Sequence, residues 1–250
     1  MKRIKLVVAY DGTGYRGWQI QKNGETIESV LDRALTELTG ETIHVMGASR
    51  TDSGVHAMGN VAVFDTQARM AADKFSYALN QRLPEDIRIQ NSCEVPADFH
   101  PRYQRAVKTY EYRILNREFP LPAYRLNTYF CYRSLDTERM RQAAAYLLGE
   151  HDFQSFCAAG AQVKTTVRTI CDLQIVKEGD LITIRITGDG FLYNMVRIIA
   201  GTLIKIGSGE WPPEYMKEIL EARDRAKAGP TAPAKGLTLM EILFLGEKAR

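Results

Sequence analysis

Arg50, Asp52 and His56 crowd into the short stretch SRTDSGVHA. A carboxylate held between cationic neighbours stays ionised at neutral pH and is available as a nucleophile or a base. The same letters also spell a turn, with Asp52 capping the backbone two residues on and Ser53 and Gly54 completing it. Arg197, in NMVRIIAGTLIKIG, raises a complementary question. Val196, Ile198, Ile199, Leu203, Ile204 and Ile206 fall nearly all round that helical pattern, which predicts an element buried on most sides. An arginine there needs a carboxylate from elsewhere in the chain, because an unpaired buried charge is costly, or a route for its head to reach water.

A third stretch, FHPRYQRAVKTYEYRILNR, carries Arg102, Arg105, Lys108, Arg113 and Arg117 against the single acid Glu111. Phe99, His100, Tyr103, Tyr110 and Tyr112 are interleaved with them. Cations track phosphates while rings stack on bases, a combination that holds single-stranded or splayed RNA. A half-exposed strand with a basic outer face has the same composition, and Tyr110 alone also suits the edge of a core. His44, His100 and His151 lack the spacing of a metal site or a catalytic triad. YDGTGYRGW lacks both glycine patterns of nucleotide-phosphate loops, so neither a metal nor a cofactor is expected.

Alternating apolar runs and helical periodicities must position these groups. KRIKLVVAY reads as a strand, TIESVLDRALTELTG as a helix capped by Thr26 and stopped by Gly40, and TIHVMG and NVAVFD as strands flanking the Asp52 loop. AADKFSYALNQRL and DIRIQNSCEV add a helix and a strand. Then come strands KTYEYRIL and NTYFCYR, a helix DTERMRQAAAYLLG closed by Gly149, and a hairpin turning at EGD. Two further helices and a last strand, LTLMEILFL, finish the chain. The expectation is an α+β protein of two similar halves, residues 1–104 and 105–250, with a large, mostly antiparallel sheet and a positively charged active-site cleft between the halves.

Composition agrees with a reduced, cytoplasmic globular protein. Of 250 residues, 45% are apolar and 25% charged, enough for a well-buried core, and no run approaches a membrane span. The four cysteines are scattered, which suits a reducing compartment. Net charge is only +3, so any phosphate-binding surface is a local patch.

YDGTGYRGWQIQ, SRTDSGVHA, DFHPRYQRAVKTYEYRI, GEHDFQSF, TVRTI, GDGFLYNMVR and TAPAKGL together resemble, in order and over essentially the whole chain, the TruA family of tRNA pseudouridine synthases. The resemblance implies a pseudouridine synthase fold and a cofactor-independent isomerase. Its substrate would be uridine at positions 38–40 of the tRNA anticodon stem-loop, bound by a homodimer. It implies that Asp52 is the essential catalytic aspartate and that Arg50 displaces the target nucleotide. Tyr110 would pack against the base, Arg197 would pair with the aspartate, and Phe191 and Leu192 would wall the pocket. Arg102, Arg105 and Lys108 are expected to supply part of the RNA contact. Ser49 and Ser53 depart from the Gly and Ala common in the family. An RNA-folding factor would need the basic stretch without Asp52, and a glycosidase-like enzyme on free nucleosides would need the aspartate without the basic stretch.

Overall fold

A computed structural model describes residues 1–161 and 163–246. The chain divides into two compact units, Met1–Arg105 with the described residues from Leu239 on, and Ala106–Thr238.

In the first unit the elements run β1 (Lys2–Tyr10), α1 (Ile27–Thr39), β2 (Met46–Gly47), β3 (His56–Thr66), α2 (Lys74–Asn80) and β4 (Ile87–Val95). β1 is antiparallel to both β3 and β4, from Lys2 opposite Thr66 to Tyr10 opposite Ala57. Its strict alternation buries Ile4, Leu6, Val8 and Tyr10, and each such side chain removed from water contributes about 1.5–3 kcal/mol. α1 forms where Thr26 and Ser29 close a reciprocal capping box, and it ends where Gly40 turns left-handed. It buries Ile27, Val30, Leu31, Ala34 and Leu35.

The run TIHVMG predicts a full strand, yet only Met46 and Gly47 pair with β3. The cause lies in α1, whose side chains take the backbone donors a ladder would use. Ile43 N–H goes to Thr36 Oγ1 (3.2 Å) and Val45 N–H to Asp32 Oδ1 (2.8 Å).

The second unit contains β5 (Ala106–Asn116), β6 (Tyr129–Cys131), α3 (Thr137–Ala145), β7 (Gly149–Asp152), β8 (Val167–Glu178), β9 (Leu181–Gly188), α4 (Met195–Gly207) and α5 (Tyr215–Ala222). The sheet order here is β5-β9-β8-β7 with every pair antiparallel, while β6 lies parallel to β5. The β8–β9 hairpin turns through Gly179 and Asp180 with Glu178 opposite Leu181, at the expected EGD. α3 stops earlier than its periodicity suggests, and Gly149, at φ 94°, opens β7 instead of closing a helix.

The last strand, β10 (Leu237–Phe244), lies beside β3. From Leu239 on it joins the first unit, where residues 105–250 were expected to form one half. Phe244 completes apolar packing there, edge-on to Phe99 with centroids 5.1 Å apart. The α+β class with mostly antiparallel strands holds in each unit. Among the described residues no helix is long and apolar enough to cross a membrane.

α4 is buried over ten of its thirteen residues and touches the segment that follows α5. A Cβ on Gly201 would stand 1.8 Å from the Pro230 carbonyl oxygen. Alanine inside a helix ordinarily gains about 1 kcal/mol over glycine. Here the sign reverses: Gly201→Ala is expected to cost about 2–3 kcal/mol in urea unfolding, the scale of an overpacked core. A neutral or stabilised variant would contradict the contact.

Candidate active site

The loop carrying Asp52 leaves β2 and returns as β3, and side chains from the strands beneath fix its backbone. Tyr10, the last residue of β1, shares a hydrogen bond with Thr51 Oγ1 (2.7 Å). Asn60, fully buried on β3, donates through Nδ2 to the Ser49 carbonyl (3.0 Å) and to the Tyr10 hydroxyl (3.2 Å). Its Oδ1 accepts from Val61 N–H (2.9 Å), which fixes the amide orientation. Ala48 N–H reaches the Val61 carbonyl at 2.7 Å, and Val55 N–H closes a turn on the Asp52 carbonyl at 3.1 Å. Asp52 is therefore a turn residue as well as a candidate for chemistry; it is half-buried, and Arg50 beside it is exposed.

The glycine-rich loop after β1 covers the other side of this turn. A Cβ on Gly12 would sit 2.0 Å from the Val55 carbonyl oxygen. One on Gly17, at φ 85°, would sit 2.6 Å from that of Thr51. Both positions exclude side chains because two backbones meet there. Trp18 N–H donates to the Thr51 carbonyl (3.0 Å) and Ser53 Oγ to the Tyr15 carbonyl (3.1 Å). The two departures from the family pattern thus differ in outcome. Ser53 gains a bond that alanine lacks, whereas the buried Ser49 hydroxyl finds no hydrogen-bond partner among the described residues.

His56 ties the far end of the loop to the same glycine-rich segment. Its Nδ1 lies 3.1 Å from Gly12 N and 3.1 Å from Asp11 Oδ1. Unprotonated, that nitrogen accepts from Gly12; protonated, it pairs with Asp11. Burial pushes the Asp11 carboxyl up, but hydrogen bonds from Thr13 and the His56 ring outweigh it and leave the group below its ordinary range.

Arg102 anchors a second segment of the unit to this region, donating from Nε to the Gly47 carbonyl at 2.8 Å. Burial and then the nearby Arg50 lower its pKa, with Glu28 acting in the opposite sense. Arg105 is exposed at the end of the same unit, and Lys108 is half-buried on β5 of the other, opposite Gly188. Arg117 pairs with Asp180 at 3.2 Å. The basic stretch is thus shared between units.

In the second unit, Tyr110, Phe191, Leu192 and Arg197 gather around the start of α4. Tyr110 is buried on β5, and Phe191 meets its ring edge-to-face, centroids 5.1 Å apart and planes at 80°. Leu192 is buried and its carbonyl accepts from Met195 N–H (3.0 Å). Asn194, left-handed at φ 60°, precedes the helix and accepts from Arg197 Nη1 at 2.8 Å. Arg197 Nε donates to the Ala232 carbonyl (2.8 Å), and Ala232 N–H returns a bond to the Arg197 carbonyl (3.0 Å). Arg197 is half-buried, not enclosed. The TAPAKGL loop is its brace, held in turn by the Tyr112 hydroxyl, which donates to the Pro233 carbonyl at 2.9 Å. Burial raises the Tyr112 pKa, so that proton stays in place.

Sequence reasoning missed Tyr10, Asn60, Asn194 and Ala232 as positioning groups. The available signal was polar residues ending or interrupting apolar strands, and a run of small residues with no other use. Among the described residues, no three His, Cys, Asp or Glu side chains converge as a metal site would.

Residues 6–104 and 143–244 match the family model described as tRNA pseudouridine synthase. A tRNA pseudouridine synthase A of Acetivibrio thermocellus is 49% identical over 244 residues, covering 98% of this chain and 100% of the relative. The tRNA pseudouridine synthase A 2 of Clostridium perfringens shows the same identity over 244 residues with the same coverage. In Ruminiclostridium cellulolyticum a tRNA pseudouridine synthase A is 49% identical over 245 residues, again 98% and 100% covered.

Gly12 and Gly14 provide a controlled pair, because a Cβ on Gly14 meets nothing within 4 Å. Gly14→Ala is expected to leave stability within about 0.5 kcal/mol, whereas Gly12→Ala should cost about 2 kcal/mol or more in urea unfolding. Equal effects at the two positions would refute the backbone contact between Gly12 and Val55.

Proposed function

The chain belongs to the tRNA pseudouridine synthase family, and from that premise we propose that it converts uridines at positions 38–40 of the anticodon stem-loop to pseudouridine with Asp52 as the essential carboxylate. The observation that carries the reading is end-to-end collinearity: nearly half the residues are identical across 98% of this chain and the full length of the relatives. The clamped Asp52 loop supports it, because a reacting carboxylate must be held in place before substrate arrives.

The reaction breaks the bond from uracil N1 to ribose C1′, turns the detached base, and joins C5 to C1′. C5 gives up its proton to solvent and N1, freed from the sugar, takes one up, so atoms and electrons balance with no redox partner. What the protein must supply is a group that adds to the base or sugar or removes a ribose proton, a surface for the loose uracil, and exclusion of water. Asp52 is proposed for the first. Tyr110, with Phe191 against its edge and Leu192 beside it, is proposed for the second. Arg197 is the proposed partner of the carboxylate, a role that suits a guanidinium aimed by Asn194 and the Ala232 carbonyl. Arg50, exposed two residues before Asp52, suits the displacement of a nucleotide from its stack, which costs a few kcal/mol. Arg102, Arg105 and Lys108 would neutralise phosphates, and recognition would follow tRNA shape more than base edges. The reading includes a cytoplasmic homodimer with one tRNA touching both subunits.

Tritium release from unmodified tRNA transcripts labelled at uracil C5, with EDTA present, tests the proposal. Wild type should release tritium only when the uridines after the anticodon are intact. Asp52→Asn should slow release by on the order of a thousandfold or more while binding tRNA as before. Binding without release by both proteins would make the chain an RNA-folding factor and end the role given to Asp52.

A further inference from the structure

Tyr103 is a large ring left 84% exposed, and it is not loose. His100 stacks on one face of it, with centroids 4.1 Å apart and planes 23° from parallel. The His100 ring is itself fixed, since its Nδ1 accepts from Arg102 N–H at 3.2 Å. The backbone beneath closes a turn, with Tyr103 N–H and Gln104 N–H both donating to the His100 carbonyl at 3.1 and 3.2 Å. At one end Phe99 is rooted in the core against Phe244. Between the two rings, Arg102 Nε holds the Gly47 carbonyl, on the strand that leads into the Asp52 loop.

One face of the Tyr103 ring is thus covered by a neighbour and the ring stands out into solvent on a rigid turn. Arg102 and Arg105 flank it, and Arg50 lies close enough to Arg102 to lower its pKa. No core contact explains a ring this exposed, and the cations around it would repel a basic partner and attract a polyanion. An aromatic shelf among arginines, anchored to the strand that leads into the loop of the candidate carboxylate, has the composition of a site that stacks one unpaired base while neighbouring phosphates are neutralised.

We propose that the His100–Tyr103 pair is a stacking platform for a nucleobase of the bound RNA, separate from the target uridine. The inference rests on the tRNA reading above and names a further contact within it. Preorganisation is its physical advantage: the ring is already stacked and the turn already closed, so little conformational freedom remains to be lost on binding. A stacked base also requires little of its identity, which fits a protein that reads shape.

The test is binding of an unmodified tRNA transcript by Tyr103→Phe, Tyr103→Leu, Tyr103→Ala and Arg102→Ala across a salt series. Stacking needs the ring and not the hydroxyl, so Phe should bind like wild type. Leu and Ala should weaken binding about 5- to 150-fold at every salt concentration, the loss typical of one stacked base. The slope of affinity against salt should stay unchanged in all three and fall only in Arg102→Ala. Because Tyr103 is exposed, thermal midpoints should match wild type, and the Phe variant keeps the comparison valid if one of the others does not fold. Leu and Ala binding like wild type, or Phe losing as much as Ala, would overturn the platform. Tritium release by wild type, measured in parallel, reports on the parent reading independently, since the platform is judged by binding alone.

Discussion

The hydrogen bonds joining Tyr10, Asn60, Ser49 and Thr51 connect the end of β1 and the middle of β3 to the loop between β2 and β3. Each bond is worth roughly 1 kcal/mol net, yet leaving one of these buried groups unmatched costs about 1–3 kcal/mol, so the network persists whole or fails whole. What it fixes is the path of the backbone on either side of Asp52. The glycine-rich loop then lies across the turn at Gly12 and Gly17, too close for any Cβ. The Asp52 loop is therefore held between two layers of backbone before any substrate is present. A carboxylate that has to meet one bond of a displaced nucleotide cannot depend on a mobile support.

The second unit solves the same problem with different means. Arg197 sits on the first turn of a helix that is almost entirely buried, so the helix cannot roll. Its guanidinium is then aimed by an Asn194 side chain and an Ala232 carbonyl, and the segment carrying Ala232 is pinned by Tyr112. Glycines on both sides allow that segment to approach the helix: a Cβ on Gly201 of α4 would stand 1.8 Å from the Pro230 carbonyl oxygen, and one on Gly229 would stand 2.7 Å from Thr202 Cα.

Local rules made much of this legible in the sequence. The caps of α1 and the turn of the β8–β9 hairpin were readable because Thr26, Gly40 and Gly179 act on their nearest neighbours. The candidate residues themselves stood out by chemistry, and the resemblance assigned their roles. What could not be read were the places where one element takes another's hydrogen bonds. TIHVMG alternates like a strand, but Thr36 and Asp32 on α1 claim its donors. The last strand reads as part of the second half and joins the first, because Phe99 and Phe244 are distant in sequence and adjacent in space. YDGTGYRGW was readable as glycine-rich, but not as the cover of the Asp52 loop, since its contacts lie some forty residues away.

Native-state hydrogen exchange tests the central claim, that the Asp52 loop is part of the β1–β3 core and not a surface loop, most directly. The amides of Trp18, Ala48 and Val55 donate to Thr51, Val61 and Asp52. If the loop is clamped, these three should exchange as slowly as the amides of Val61–Phe64 at the centre of β3, opening only when the first unit unfolds. Exchange at the rate of an exposed loop, with the β3 centre still protected, would show that the hydrogen-bonded network does not hold Asp52 and would contradict the account.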